Sequence, residues 1–119
     1  MGANLYINSL TMELSGEPTY FRDSYNYTSV FWAMDLSWWK VVIPMLNKNN
    51  YLPIENCRKL LRVIKSSEID LDNNYSEREK KDAQKFECFN EEYMENKRAE
   101  LIDFLERSIE IKIMIECYL

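Results

Sequence analysis

The chain has no histidine. With that absence go Ser–His and Cys–His nucleophile pairs, imidazole general bases and most zinc sites that one chain can build. Glycine is nearly as scarce. Only Gly2 and Gly16 occur, so no glycine-rich phosphate loop can form. With three prolines besides, the chain has too few turn residues for a β-sandwich, which reverses about every 8–12 residues. Cys57, Cys88 and Cys117 are odd in number and far apart, with no CxxC pair. They read as reduced thiols of a cytosolic protein.

No apolar run reaches the roughly 18–20 residues of a spanning helix. The start, MGANLYINSL, lacks the basic and apolar regions of a secretory signal, so a cytoplasmic protein without a membrane partner is expected. Cations are outnumbered, 15 Lys and Arg against 20 Asp and Glu, for a net charge of −5. Phosphate-backbone binding needs clustered cations that displace counterions, so direct nucleic-acid binding is not expected.

What is present suits one folded domain spanning residues 1–119. The chain is 46% apolar and 29% charged, enough for a single core. Leu5 and Ile7 alternate against Asn4, Tyr6 and Asn8, the period of a short strand. Gly16 and Pro18 mark a loop. A helical region is expected from Asp23 or Ser24, because Val30, Met34, Trp38 and Val41 share one face at helical spacing. Ser37 can cap a second start, and an end is expected before Pro44. Pro53 suits a first helical position, and PIENCRKLLRVIKSS is amphipathic, with Ile54, Cys57, Leu61 and Ile64 inward. Arg58, Arg62 and Lys65 form a basic stripe expected to pair with acidic neighbours.

SSEIDLDNNYS reads as a mobile loop. Its Asp70, Asp72 and Asn74 imitate a calcium loop, but Tyr75 and Lys81 replace the required Gly and Glu. No metal is expected. Ser76 and Glu79 form a capping box, opening a helix expected to run to about Ser108. IEIKIMIECYL alternates and predicts a final strand. The fold class expected is α+β, dominated by three or four helices, with a small β-ribbon in which the terminal strands pair. An exposed edge there would suit a partner or a second copy of the chain.

Half of the sixteen aromatics, including all three tryptophans, lie in YFRDSYNYTSVFWAMDLSWWK, residues 20–40. Aromatics of this density build a core, and on that reading Arg22 and Asp23 pair locally while Asp23 or Ser24 caps the helix. A second reading makes Tyr20, Arg22, Asp23, Tyr25 and Asn26 a polar rim around Trp32, Trp38 and Trp39. Tyr, Trp and Arg are the residues of interface hot spots, and an apolar pocket with a few polar groups suits a ligand. No spacing singles out a carboxylate pair, a nucleophile with its base, or a cofactor motif, so catalysis and cofactors are not expected.

MGANLYI, then YFRDSYNYTSVFWAMDLSWWKVVIP, then LPIENCRKLLRVI, resembles a small bacterial and phage protein family. The likeness covers roughly the first half of the chain and recurs weakly at RAELIDFLERSIE. Related sequences carry a longer insertion before YFRDSYN than the short stretch between Gly16 and Pro18 here. The resemblance implies no activity and no catalytic residues. A bacterial mobile-element setting is one reading of it, by analogy of size and charge. In that setting a small acidic protein is expected to bind a larger, basic protein, as an inhibitor of a host defence enzyme of the anti-CRISPR kind does. The rival expectation is a small-molecule binder or minor enzyme with its pocket at YFRDSYN. A homodimer through the charged helix or the terminal strand is the third.

Overall fold

A computed structural model describes residues 2–119. In chain order the elements are β1 (Gly2–Ile7), α1 (Leu10–Ser15), β2 (Tyr20–Ser24), α2 (Val30–Ala33), β3 (Tyr51–Leu52), α3 (Ile54–Ser66), α4 (Glu77–Ala83), α5 (Glu91–Ile111) and β4 (Ile115–Tyr118). Between α2 and β3 lie a π-helical turn at Trp38–Val42 and a 3₁₀ turn at Ile43–Met45. The fold is α+β, and the two terminal strands pair antiparallel as expected.

They do not form a two-stranded ribbon. The sheet has four antiparallel strands in the order β2-β1-β4-β3. β1 and β4 are therefore its interior, and the edges are β2 and β3. The edges open to a further strand are thus β2 and β3 rather than the terminal strands, although β3 pairs only Ile115 and Glu116 of β4.

Alternation divides the sheet into two faces. Ala3, Leu5 and Ile7, with Phe21, Leu52, Ile115 and Cys117, are buried. They meet Cys57, Leu60 and Ile64 of α3 and Leu101, Phe104 and Leu105 of α5 in one core. Phe21 and Phe104 pack with ring centres 6.2 Å apart. The helices cover this face only; the other is the exposed or half-buried side of every strand.

Four expectations are corrected. The segment from Asp23 is no helix: Tyr20–Ser24 is strand β2, and α2 begins only at Val30. Asp35 then takes φ 58°, and Ser37 caps the π turn by accepting from Lys40 N at 3.4 Å. The helix from Ser76 is not continuous to Ser108. α4 stops at Ala83, and Asn90 caps α5 by accepting from Tyr93 N at 2.7 Å. Between them Phe86 and Phe89 turn towards Tyr27 and Tyr75, and that aromatic packing outweighs helix propensity. α5 continues to Ile111, so only Ile115–Tyr118 of the alternating end is strand. Lys112 ends the helix at φ 58°, and the buried Ser108 hydroxyl donates to Ile113 O to fix the turn. Pro53 stands one place ahead of α3.

The loop expected to be mobile is tied to α2. Asp70 N and Asn74 Nδ2 donate to Ala33 O at 3.0 and 2.8 Å, and Trp32 Nε1 donates to Asn74 O at 3.2 Å. The Asp70 carboxylate accepts from Asn73 N and Nδ2. In the basic stripe of α3, Lys65 meets Glu106 at 3.6 Å. Among the described residues Arg58 and Arg62 form no ion pair within 4 Å, so pairing along that stripe is partial.

Cys57 and Cys117 lie in the core, and burial pushes both thiols up, Cys117 to about 12. Only Cys88 is half-exposed. Ellman's reagent should therefore modify one thiol rapidly in the native protein and three in denaturant. Three fast thiols under native conditions would contradict this core.

Candidate functional site

The open sheet face is built by register. Tyr20 of β2 stands opposite Tyr6 of β1, Tyr6 opposite Glu116 of β4, and Glu116 opposite Tyr51 of β3. One row thus crosses all four strands as Tyr20–Tyr6–Glu116–Tyr51. Beside it runs Arg22–Asn4–Tyr118. The side chains lock together. Tyr20 OH donates to Asn4 Oδ1 at 2.6 Å, and Tyr51 OH donates to Glu116 Oε2 at 3.0 Å. Tyr6 lies 4.9 Å from Tyr20 and 5.6 Å from Tyr118 between ring centres. Hydrogen bonds to Glu116 raise the pKa of both Tyr51 and Tyr118.

Tyr20 and Tyr118 remain 44% and 56% exposed, a large aromatic area to leave in water. Phenols fixed in this way lose little side-chain freedom on meeting a partner. Arg22 is the single cation in the two rows and Glu116 the single carboxylate.

Asp23 faces the other way. It is 2% exposed, and both its oxygens are engaged. Oδ2 accepts from Trp38 Nε1 at 2.7 Å, Ser29 Oγ at 2.8 Å and Phe31 N at 3.3 Å, while Oδ1 accepts from Val30 N at 2.9 Å. One carboxylate thereby ties β2 to the start of α2 and to the π turn. The helix cap is neither Asp23 nor Ser24 but Ser29, whose Oγ accepts from Trp32 N at 3.3 Å, while Asp23 takes the Val30 and Phe31 N–H groups from the neighbouring strand. Burial raises its pKa, and the donors from Trp38, Val30, Ser29 and Phe31 pull the other way.

The sign follows from that balance. The folded state holds this proton to higher pH than the unfolded chain does. The contribution of Asp23 to stability is thus greatest below the ordinary aspartate range and declines as pH rises through its folded-state titration. Following its carboxyl carbon by NMR should give a midpoint above the ordinary aspartate value. A midpoint below it would show that the four donors outweigh burial.

The expected polar rim around the tryptophans does not assemble as one group. Tyr20 and Arg22 lie on the open face, whereas Asp23 lies inside, because neighbours in a strand point to opposite sides. The local Arg22–Asp23 pair is absent for the same reason. Asn26 organises the turn after β2, its Oδ1 accepting from Ser24 Oγ, Thr28 N and Thr28 Oγ1 at 2.7–2.9 Å. Trp32 stacks on Tyr75 at 5.2 Å, and Trp38 stacks on Phe31 at 3.7 Å with the planes 4° apart. Trp39 is 55% exposed and leans on Tyr25 at 6.0 Å.

These tryptophans, with Tyr25, Phe31, Ser29, Leu36 and Ser37, line a cavity of about 290 Å³. No family model, curated protein or solved structure matches the chain. The site therefore rests on its geometry. Asn4, Tyr6, Tyr51, Glu116 and Tyr118 were not among the sequence candidates. For Tyr6 and Tyr118 a signal existed, since each alternates with inward apolar neighbours and must point outwards.

No helix among the described residues is long and apolar enough to cross a membrane. Nor does any group of three or more His, Cys, Asp or Glu there gather as metal ligands would.

Proposed function

We propose that the chain is a non-catalytic protein-binding module whose contact surface is the open face of its sheet. The observation that carries this is the pair of side-chain rows Tyr20–Tyr6–Glu116–Tyr51 and Arg22–Asn4–Tyr118. Tyr and Arg dominate interface hot spots because they combine apolar area with hydrogen bonding at small entropic cost. Four strands about 4.8 Å apart, three of them four to six residues long and β3 only two, give at most roughly 20 Å by 15–20 Å. A standard interface takes about 800 Å² from each partner, so the partner reaches beyond the sheet. Leu10 and Leu14, one turn apart on α1 just after β1, are exposed apolar residues that can extend the contact.

The partner is a larger protein with a basic surface. The net charge of −5 supports that choice, as does the carboxylate of Glu116 set among tyrosines. The resemblance of the YFRDSYN and LSWW blocks to phage and bacterial sequences supports a mobile-element role, in which the module occupies a host defence enzyme as anti-CRISPR proteins do. Affinity capture from a bacterial lysate should retain a basic protein on the wild type, less of it at high salt, and little on the Tyr20→Ala/Tyr118→Ala variant. Equal capture by both would contradict the assignment to the sheet face.

A further inference from the structure

We propose that the cavity walled by Tyr25, Phe31, Trp32, Trp38 and Trp39 takes a quaternary ammonium group. At about 290 Å³ it stands at the small end of ligand sites, about 300–1,000 Å³. It therefore suits a compact head group rather than an extended ligand. Five of its eight lining residues are aromatic, including every tryptophan of the chain, and none is a cation.

Phe31 covers one face of Trp38, and Tyr75 covers one face of Trp32. Phe31 and Trp38 are buried, so the accessible aromatic surface of the wall is that of Tyr25, Trp32 and Trp39. Aromatic rings attract cations through the negative potential of their faces, and tryptophan does so most strongly.

Behind the wall sits the Asp23 carboxylate, which takes the Trp38 indole N–H at 2.7 Å and the Ser29 hydroxyl at 2.8 Å. A carboxylate on the N–H pushes electron density into the ring and adds negative potential of its own. Asp35 lines the adjoining hollow, which shares Trp32, Leu36 and Ser37 with this one. Lys40 also lines that hollow, but it does not border the cavity itself.

A neutral apolar ligand would leave this potential unused, and an anion would oppose it. A quaternary ammonium gains from it, and it gives up less hydration than a primary ammonium because it has no N–H to desolvate. The group could arrive on a free choline-like molecule or on a trimethylated lysine side chain. Both offer the same chemistry. The inference does not depend on the sheet face, and Tyr20→Ala should leave it unchanged.

The test compares choline with 3,3-dimethylbutan-1-ol, which replaces the charged nitrogen by carbon at constant shape. Titrations followed by indole N–H signals should show choline binding at least about tenfold more tightly. Trp39→Leu, at a position 55% exposed, should weaken choline about tenfold without changing the far-UV CD spectrum, while Trp39→Phe should keep part of the affinity. A parallel titration with trimethyl-lysine and unmodified lysine peptides separates the sources. Tighter binding of the methylated peptide than of choline would assign the group to a protein partner, and the reverse to a free molecule. Equal or tighter binding of the neutral alcohol would overturn the proposal, as would silence of the indole signals towards choline and the methylated peptide alike.

Discussion

Replacing Asp23 by alanine should cost about 3 kcal/mol or more of unfolding free energy at pH 7. The side chain accepts four hydrogen bonds from donors that cannot reach water easily: Val30 N, Phe31 N, Ser29 Oγ and Trp38 Nε1. Each buried donor left without an acceptor costs about 1–3 kcal/mol. Relief of the carboxylate's own desolvation returns part of that. Asp23→Asn should be similarly harmful, because an amide NH₂ would face donors rather than acceptors.

Urea unfolding of wild type and variant checks the size. The pH series checks the cause. Since burial raises the Asp23 pKa, the wild-type advantage should shrink as pH rises from the ordinary aspartate range through the folded-state titration. A loss below about 1 kcal/mol would show that β2, α2 and the π turn hold together without this carboxylate.

Phe31→Ala should cost about 3–5 kcal/mol. The ring is fully buried and stacks on Trp38 with only 3.7 Å between centres, so its removal takes away both apolar area and an aromatic pair. Because Phe31 also lines the aromatic cavity, water can enter the space it leaves, which sets the loss near the lower end. For a chain of 119 residues total stability is on the order of 6–18 kcal/mol, so either change removes a large share. The two are neighbours, and their combination should cost less than their sum. A small loss for Phe31→Ala, with tryptophan emission unchanged, would mean that the stack is not part of the core.

How much of this could be read from the sequence depended on whether a pattern was local. The terminal strands were legible because Leu5 and Ile7, like Ile115 and Cys117, alternate with polar or aromatic neighbours. β2 was hidden by its own chemistry. Its inward pair is Phe21 and Asp23 and its outward pair Tyr20 and Arg22, so a buried aspartate broke the alternation that marks a half-buried strand. β3 has only two residues and carries no periodicity at all.

The break between α4 and α5 contains neither Gly nor Pro. It exists because Phe86 and Phe89 pack against residues far away in the chain. The end of α5 was obscured because IEIKI satisfies a strand pattern, whereas Ser108 and the left-handed Lys112 hold the turn through contacts that sequence does not display. At the candidate site, Tyr20 and Arg22 could be named from their neighbours. Their union with Tyr6, Asn4, Glu116 and Tyr118 is a product of strand register, which only the folded sheet fixes.

Hydrogen exchange on the complex with the captured partner tests the central claim most directly. If the open sheet face is the binding surface, complex formation should slow exchange in β2 and in the sheet rows around Tyr6 and Tyr118. The outer face of α3 should stay unchanged. Protection confined to α3, α4 or the first half of α5, with the sheet as in the free protein, would contradict it.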